Sequence, residues 1–268
     1  MEISGKTVLI TGATGGMGRA FCRALGEVGA AIAMLDVDEN SLRDFAEELT
    51  ASGIKTAFAS CDIRDAAACQ IAIEQLAAHF GGIDILMNNA GITHRSLFSE
   101  TQIEVLEKVM AVNYFGAVNC TKAALPYLRQ SKGTIVVTSS IAGFTPLLGR
   151  TGYSASKYAL HGFFESLRTE LIDDGVKILL VCPGFTATGI ENRALSGDGS
   201  ITKRQWSTTG KIHQPADVAN AIINGIRKEK RLLVLSTVGK LAYWIGRLFP
   251  KFYEREMRKK LRHEFFPP

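Results

Sequence analysis

The sequence predicts an α/β fold with a doubly wound, mostly parallel sheet and helices on both faces. Short apolar runs rich in β-branched residues alternate with stretches of helical periodicity. Several of these runs, such as 135–137 and 178–181, are apolar on both faces, as strands must be when helices cover both sides of a sheet. A glycine-rich segment at 12–18 follows the first run directly, which is typical of the first turn of such a sheet.

Seven strands are predicted, with helical segments between them. In chain order they cover residues 7–11, 31–36, 56–60, 83–87, 134–139, 176–182 and 232–235. This alternation implies right-handed crossovers and one Rossmann-like sheet of about seven strands. Ligands of such sheets bind beyond the carboxyl ends of the strands, so we expect the functional residues just after each strand.

Residues 1–236 are expected to form a single domain, because 268 residues fit one α/β domain with a short extension. Residues 185–214 within it are rich in Gly, Ser and Thr and include Lys203, Arg204 and Trp206. Long irregular stretches inside compact domains are usually lids or binding loops, so we interpret this one as a substrate lid. A mobile insert is the plainer alternative.

Residues 237–268 are predicted to form a basic, amphipathic helical tail. The net charge of +5 is unevenly placed, since residues 227–268 hold twelve basic and four acidic side chains, against nineteen and twenty-two in residues 1–226. Leu241, Trp244 or Ile245, and Leu248 recur at helical spacing, with cations around them. Such a segment over 238–262 can lie in a membrane interface, or it can pack against the substrate pocket or a second subunit, which is the commoner use.

Composition excludes several classes of protein. The 46% hydrophobic fraction excludes a disordered chain, and no apolar run reaches the 18 or so residues of a spanning helix. The five cysteines are scattered and never form C-x-x-C, which predicts a reducing compartment, no disulfide framework and no metal site. We therefore expect a cytoplasmic protein whose tail is its candidate membrane contact. Nucleic acid is not an expected partner, because no recognition module accompanies the basic charge.

The glycine-rich loop predicts a dinucleotide site. Glycine at 12, 16 and 18 lets the backbone turn tightly, lets a pyrophosphate approach the helix N-terminus and lets that helix pack on the strand. The loop follows a strand, opens a helix and has the acidic Asp36 eighteen positions after Gly18. This context distinguishes it from a merely structural turn.

Asp36 favours NAD(H) over NADP(H). Its carboxylate can accept hydrogen bonds from both ribose hydroxyls, whereas a 2′-phosphate would meet like charge. Arg19 and Arg43 are the two cations that could reverse this preference. After the next two strands, Asp62 could accept from the adenine amino group or cap a helix, and the turn at 88–91 could pass close to a ribose.

Tyr153 and Lys157 form the candidate catalytic pair. They lie four residues apart on a helix predicted to begin near Gly152, so they share a face. An ammonium near a phenol favours the phenolate and lowers the pKa of the tyrosine, as a hydride-transfer enzyme needs of its acid or base. Ser140, after the fifth strand, can hydrogen-bond a substrate oxygen as charge changes on it. By itself Tyr-x-x-x-Lys is a weak signal, because solvated helices contain it by chance.

Taken together, these residues resemble the short-chain dehydrogenase/reductase family. The matching features are T-G-A-T-G-G-M-G at 11–18, N-N-A-G at 88–91, Asn113, Ser140, Tyr153-Ser154-Ala155-Ser156-Lys157, and Pro183-Gly184 with Thr188. They occur in the family's order over residues 7–188, and no member of the set is replaced. The resemblance implies an oxidoreductase that acts on CH–OH groups with NAD(P) and assembles as a homodimer or homotetramer.

The resemblance also implies residue roles. Tyr153 would be the general acid/base, Lys157 would bind the nicotinamide ribose and tune Tyr153, Ser140 would orient the substrate oxygen, and Asn113 would hold a water of the proton relay. Ser140 is preferred to Ser139 because the family places its serine thirteen residues before the tyrosine. The expected cofactor contacts are Gly12, Thr14, Gly16, Met17, Gly18, Asp36, Asp62, Ile63, Asn89, Gly91, Tyr153, Lys157, Pro183, Gly184, Thr186 and Thr188. The expected substrate contacts are Ser140, Tyr153, Phe185 and, as a weaker candidate, His94, for which a solvated loop position is the alternative.

The tail and the apolar lid favour a lipophilic substrate. Family members with extended C-terminal ends act on steroids, retinoids or acyl chains, and an apolar lid and tail helix would suit such a ligand. A polyol or small-diol dehydrogenase is the alternative within the enzyme class. A nucleotide-binding sensor without turnover is the alternative outside it, against which the intact Ser140, Tyr153 and Lys157 argue.

Overall fold

The computed structural model describes residues 1–204, 207 and 212–266. Its strands are β1 (Thr7–Thr11), β2 (Ala31–Asp36), β3 (Thr56–Ser60), β4 (Ile85–Asn88), β5 (Thr134–Thr138), β6 (Lys177–Cys182) and β7 (Leu232–Val234). They form one parallel sheet in the order β3-β2-β1-β4-β5-β6-β7. The strand order reverses between β1 and β4, so a ligand crevice is expected beyond the carboxyl ends of these two strands.

Helices cover both faces of the sheet. In the described residues they are α1 (Gly16–Glu27), α2 (Glu39–Ala51), α3 (Ala66–Phe80), α4 (Ile103–Met110), α5 (Gly116–Ser131), α6 (Thr151–Glu170), α7 (Pro215–Arg227), α8 (Thr237–Leu248) and α9 (Pro250–Leu261). Helices α1, α2 and α7 contribute to the core on one face, and α3, α5 and α6 to the core on the other. The predicted doubly wound α/β fold is confirmed.

Local sequence determines where these helices begin. The side chains of Asp38 and Asp65 accept hydrogen bonds from first-turn N–H groups of α2 and α3, and Ser236 does the same for α8. Pro215 opens α7, where a missing N–H costs nothing. The loops that lead into α2, α3 and α8 are therefore short, whereas the long segment 183–214 separates β6 from α7.

The predicted lid contains little regular structure where it is described. A short 3₁₀ turn at Ile190–Arg193 and isolated bridges, such as Thr186 with His213, are its regular features in that part of the chain. Trp206, which helped to suggest a lid, lies outside the described residues. A closing motion of this segment therefore stays a prediction.

The tail forms two helices that return to the body of the protein. Ala242 from α8, Leu261 from α9 and Phe265 beyond it are buried. Other large apolar side chains of the tail, Leu241 and Trp244 among them, stay exposed. Neither tail helix nor any other helix among the described residues combines the length and apolar content that a bilayer crossing requires.

Candidate active site

The glycine-rich loop is compact because Gly12, Gly16 and Gly18 have no side chains. Gly12 has a φ of +64°, and a Cβ there would lie 2.8 Å from the Cα of Ala90. A Cβ at Gly18 would lie 2.1 Å from the carbonyl oxygen of Gly12, and one at Gly16 would lie 2.4 Å from the carbonyl oxygen of Thr188. Gly15 is the N-cap residue of α1, and because it has no side chain it forms no capping hydrogen bond with the first-turn N–H groups. The first-turn N–H groups therefore suit the pyrophosphate of a dinucleotide.

Asp36, at the end of β2, lies against this loop. Its Oδ2 accepts hydrogen bonds from the Thr14 N–H at 2.9 Å and the Thr14 hydroxyl at 2.6 Å. The two arginines that could neutralise a 2′-phosphate have other partners. Arg19 donates to the Thr14 carbonyl and lies 4.4 Å from the centre of a phenyl ring, and Arg43 pairs with Glu39 at 2.9 Å.

Asp62 and Ile63, which follow β3, have side-chain contacts that the sequence did not predict. Arg64 binds the carboxylate of Asp62 with two nitrogens, at 2.9 and 2.5 Å, and this interaction lowers the pKa of Asp62. Asp62 is not the cap of α3, because Asp65 takes that position. The side chain of Ile63 is buried against Gly116. An adenine contact from Asp62 therefore requires a shared or displaced Arg64.

The Asn-Asn-Ala-Gly turn after β4 is fastened to β1 and reaches the catalytic residues. Asn89 donates from its backbone N–H to the Thr11 hydroxyl at 3.0 Å and from Nδ2 to the Thr11 carbonyl at 3.0 Å. At Gly91 a Cβ would lie 3.2 Å from Oδ1 of Asn113 and 3.6 Å from Nζ of Lys157. The turn thus joins the glycine-rich loop to the catalytic end of the site.

Asn113 lies in a π-helical turn, Ala111–Phe115, between α4 and α5. Single π turns inside helices are frequent at functional sites. Oδ1 of Asn113 accepts from the Ile92 N–H at 2.8 Å, and Nδ2 donates to the Ile92 carbonyl at 2.9 Å and to the Ser156 hydroxyl at 2.9 Å. The side chain therefore holds the turn after β4 against α6. Its expected role in a water relay stays a prediction.

Tyr153 and Lys157 share one face of α6, as the spacing predicts. Lys157 donates from Nζ to the Thr138 carbonyl at 2.9 Å and lies 5.7 Å from the centre of the Tyr153 ring. Burial lowers the pKa of Lys157 to about 8. Burial also raises the pKa of Tyr153, while a hydrogen bond with Ser140 and the charge of Arg150 act in the opposite direction.

This corrects the expected lowering of the tyrosine pKa by Lys157. A phenolate loses more solvation on burial than the neighbouring groups return to it, so the neutral phenol is favoured. The cation that opposes the rise is Arg150, three positions before Tyr153, rather than Lys157. The sequence spacing located the pair correctly but could not predict the balance of burial and charge.

Ser140, rather than Ser139, contacts the tyrosine. Ser140 precedes a 3₁₀ turn and its hydroxyl oxygen accepts from the Ala142 N–H at 3.1 Å, in addition to its hydrogen bond with Tyr153. Ser139 is 3% exposed and lies close to Cys182. The structure therefore supports the choice of register made from the spacing.

The segment after β6 borders the same cavity. Thr186 donates from its hydroxyl to the Gly184 carbonyl at 3.2 Å, and the Thr188 N–H donates to the Thr186 carbonyl at 2.8 Å. The carbonyl of Phe185 accepts from the His213 N–H at 2.8 Å. The expected contacts of this segment that line the cavity are Pro183, Gly184, Phe185, Thr186 and Thr188, and Met17 of the glycine-rich loop lines it too.

The cavity has a volume of about 620 Å³ and two contrasting ends. Ser140 and Tyr153 lie in its wall near the glycine-rich loop. Its far wall comes from the tail, where apolar side chains such as Leu241, Ile245 and Met257 line it. A cavity of this size whose wall surface is mostly apolar suits a lipophilic ligand of moderate size. The tail therefore covers the pocket, which was one of its open interpretations.

His94 occupies neither of its expected positions. The residue is fully buried, and its Nε2 accepts a hydrogen bond from the Gly152 N–H at 2.9 Å, in the first turn of α6. Burial, together with the charge of Arg150, lowers the pKa of His94 to about 4. It is absent from the described residues that line the cavity. His94 is thus a neutral helix cap beneath the catalytic helix, neither a solvated loop residue nor a wall of the substrate mouth.

Sequence reasoning missed two buried arginines, Arg95 and Arg150, which line the cavity. Both lie close to Glu264 from the far end of the chain, with Arg150 only 2.9 Å from its carboxylate. The available signal was the position of Arg150 beside the predicted start of the catalytic helix. Nothing local indicated that its partner would come from the tail, 114 positions later.

Comparison with known proteins identifies the family. The sequence model of the short chain dehydrogenases matches residues 6–198. The chain belongs to the short-chain dehydrogenase/reductase family. Its similar relatives include Dehydrogenase/reductase SDR family member 7B of Bos taurus, 34% identical over 270 residues that cover 98% of this chain and 83% of the relative. Dehydrogenase/reductase SDR family protein 7-like of Drosophila melanogaster is 32% identical over 265 residues, with 97% and 81% covered.

Solved structures of short-chain dehydrogenases share this fold. One from Burkholderia phymatum, in complex with NAD, superposes with a TM-score of 0.84 at 24% identity, covering 94% of this chain and 96% of that one. One from Streptomyces avermitilis gives a TM-score of 0.80 at 27% identity over 96% and 97%. An alcohol dehydrogenase from Thermococcus sibiricus, complexed with 5-hydroxy-NADP, gives 0.73 at 24% identity over 85% and 94%. The chain is therefore an oxidoreductase of this family in sequence and in fold.

Proposed function

We propose that this short-chain dehydrogenase interconverts a lipophilic secondary alcohol and its ketone with NAD(H), using Tyr153 as the general acid/base. The observation that carries the proposal is the position of Ser140 and Tyr153 in the wall of one largely apolar cavity that also borders Met17 and Thr188. The glycine-rich loop and the acid/base group thereby face a single space. That arrangement suits a reaction between a dinucleotide and a lipophilic substrate.

Each of the site residues has its own role in the proposed reaction. A bound nicotinamide dinucleotide supplies the hydride for reduction or accepts it in oxidation. Ser140 holds the substrate oxygen, while Tyr153 gives it a proton in reduction or takes one in oxidation. Lys157, which donates to the Thr138 carbonyl, would bind the nicotinamide ribose with its ammonium group. Asn113 keeps the turn after β4 in contact with α6.

A substrate panel tests this activity. We expect NADH-dependent reduction of steroid or acyl-chain ketones, or NAD-dependent oxidation of the matching alcohols, with little turnover of polyols and small diols. The mostly apolar surface of the cavity wall favours the lipophilic group, because a polyol would leave many of its hydroxyls without partners against it. Turnover of polyols alone would support the alternative substrate class. Cofactor binding without turnover of any compound would support the nucleotide sensor.

Asp36 supports NAD(H) as the preferred cofactor. Its carboxylate lies at the loop, and Arg19 and Arg43 already have partners, so a 2′-phosphate would meet unbalanced negative charge. Asp36→Ala should reduce the ratio of NADPH to NADH dissociation constants, measured by fluorescence titration. Asp44→Ala, an exposed change on α2, is the matched control and should leave the ratio unchanged. Tighter binding of NADPH than of NADH by the unmodified protein would contradict the preference.

Exposed aromatic residues support a homodimer or homotetramer. Phe115 at the entry to α5 is 53% exposed, and Tyr158 on α6 is 46% exposed, although both helices are central to the fold. Apolar side chains at such positions are expected to be covered by a second copy of the chain. Light scattering should give a mass of two or four chains, and Tyr158→Glu should shift it toward one. A monomeric unmodified protein would contradict this proposal.

The exposed side of the tail supports peripheral contact with an anionic membrane, for a protein otherwise expected in the cytoplasm. Trp244, Leu248 and Phe249 are each 61–65% exposed and are not among the described residues that line the cavity. Exposed cations of α8 and α9 lie around them. An apolar surface ringed by cations matches an interface of acidic headgroups over acyl chains.

Co-sedimentation with vesicles tests this contact. The protein should sediment with vesicles that contain phosphatidylserine and much less with pure phosphatidylcholine, because the cations contribute part of the attraction. Trp244→Ser with Leu248→Ser should remove most of the binding. Ile172→Ser, at a 63% exposed position outside the tail, should not. Equal partition of all three proteins would contradict the contact.

A further inference from the structure

Four segments around the cavity meet at one buried ionic cluster, which consists of Arg95, Arg150, Ser207 and Glu264. The carboxylate side chain of Glu264 has no exposed surface. It accepts from Nη2 of Arg150 at 2.9 Å, from the Ser207 N–H at 3.1 Å and from the Ser207 hydroxyl. Nε of Arg95 lies 4.0 Å from it. The cluster therefore joins the segment after β4, the start of α6, the lid and the tail.

The end of the tail is seated on the residues that lead into α6. Gly149 has a φ of +67°, and a Cβ there would lie 2.0 Å from the ring of Phe265, so the ring occupies the space of the missing side chain. Phe265 is 7% exposed. One residue earlier, the Leu148 N–H approaches the sulfur of Met257 at 3.1 Å. The seat is thus built from positions 148–150, directly before the helix of Tyr153.

A stability role alone explains this cluster poorly. Burying an ion pair removes both charges from water, and apolar residues of similar volume often stabilise a fold as well or better. Nε of Arg95 is buried without a hydrogen-bond partner among the described residues, which is a further cost. Both arginines line the cavity. Costly polar groups of this kind are more common where they position or recognise something.

The charges around Tyr153 come from several elements. Arg150 is the cation whose field opposes the raised pKa of the phenol, and the Cys182 thiol acts against it. Glu264 pairs with Arg150, and burial together with the charge of Arg150 lowers the pKa of Arg95 and of His94. Glu191, Glu256 and Lys260 line the same cavity. The net charge beside the phenol therefore depends on whether Glu264 occupies its seat.

We propose that Glu264 and Arg150 are positioning residues of the reaction: their pair seats the end of the tail at the entry to α6, closes the substrate end of the cavity and sets the charge beside Tyr153. The proposal rests on the proposed function, in which Tyr153 transfers the proton. It adds that a residue four positions from the C-terminus of the chain belongs to the active site. Among the described residues, the hydrogen bonds and ion pairs of this cluster do not involve the glycine-rich loop, so cofactor binding should not depend on it.

Two matched pairs of variants test the seat and the closure. Phe265→Ala and Glu264→Gln should raise amide hydrogen exchange of residues 250–266 and raise the KM for the ketone at least tenfold, with the KM for NADH changed less than twofold. Phe266→Ala and Glu254→Gln are the controls, because both residues are exposed near the seat and neither lines the cavity. These controls should leave exchange and both KM values unchanged.

The pH profile of alcohol oxidation tests the charge beside Tyr153. Loss of the cation in Arg150→Met should move the acidic limb of kcat/KM to higher pH, because the phenolate loses a favourable neighbour. Loss of the anion in Glu264→Gln should move the same limb to lower pH by a smaller amount. A purely structural role would weaken both variants without moving the limb in opposite directions.

The outcomes separate the two proposals. Unchanged exchange of residues 250–266 in Phe265→Ala and Glu264→Gln would overturn the seat, whether or not a substrate is known. Raised exchange with an unchanged ketone KM and an unmoved pH limb would overturn the positioning role. Absence of any turnover by the unmodified protein, together with raised exchange in the variants, would refute the proposed function while leaving the seat supported.

Discussion

The body and the tail of this dehydrogenase form opposite walls of one cavity by different means. In the body, the main chain holds the proposed catalytic side chains: Lys157 is hydrogen-bonded to the Thr138 carbonyl, and Asn113 to both polar groups of the Ile92 backbone. In the tail, contacts between side chains of distant segments have a larger part, as in the pair of Glu264 with Arg150. A hydrogen bond to a main-chain carbonyl or N–H group does not depend on the side chain of the residue that supplies that group. The body is therefore suited to constant chemistry and the tail to a variable choice of substrate.

Removing the acid/base group from the body should lower turnover more than any other change proposed for either region. Tyr153→Phe should lower kcat by roughly 10³-fold or more, since general acid/base catalysis contributes on the order of 10²- to 10⁴-fold. The phenyl ring keeps the volume of the side chain, so NADH binding should stay unchanged in a fluorescence titration. Retention of a tenth of the turnover would place the acid/base elsewhere.

Substitutions of the neighbouring Ser139 and Ser140 test which serine holds the substrate oxygen. Ser140→Ala should lower kcat by roughly 10²-fold, because it removes a donor to the substrate oxygen. Ser139→Ala is the matched control, since this buried side chain lies beside Cys182 rather than Tyr153. Steady-state kinetics of both variants on one ketone gives the comparison. A larger loss in Ser139→Ala would show that the register is wrong.

His94 links the stability of the body to pH. Its pKa falls from an ordinary 6.5 to about 4, so between these pH values the unfolded chain binds a proton that the folded protein does not bind. Stability should therefore be full above pH 6.5 and decline as the pH falls toward 4, by up to about 3 kcal/mol from this residue. Urea unfolding between pH 4 and 7 measures the slope.

Two histidine variants separate this contribution from the rest. His94→Asn should flatten the pH dependence of the unfolding free energy, although it also lowers stability at neutral pH by loss of the cap on α6. His79→Asn changes an exposed histidine on α3 and should leave the slope as it is. An equally steep slope in both variants would show that other groups cause it.

The sequence predicted what depends on local pattern. The strands are apolar on both faces because helices cover both sides, and the structure places each within two residues of the predicted bounds. Tyr153 and Lys157 share a face because helix geometry dictates it. The glycine-rich loop was also predictable, since each of its glycines meets a backbone that any side chain would displace.

What the sequence missed depends on contacts between distant segments. His94 caps α6 from 58 positions away, and Glu264 reaches Arg150 from 114 positions away, so neither partner has a local signature. The raised pKa of Tyr153 was missed for a similar reason, because burial is a property of the assembled pocket. Arg64 next to Asp62 was visible in the sequence, but its side-chain direction was not.

The most direct test of this division is deuterium transfer from NADH deuterated at both C4 positions, followed by mass spectrometry at saturating ketone for the unmodified protein and for Phe265→Ala. If the body performs the chemistry and the tail governs access, deuterium should appear on the carbinol carbon at similar maximal rates in both proteins. The variant should differ only in needing a higher ketone concentration for saturation. No deuterium transfer by the unmodified protein, or its loss in Phe265→Ala at saturation, would contradict the account.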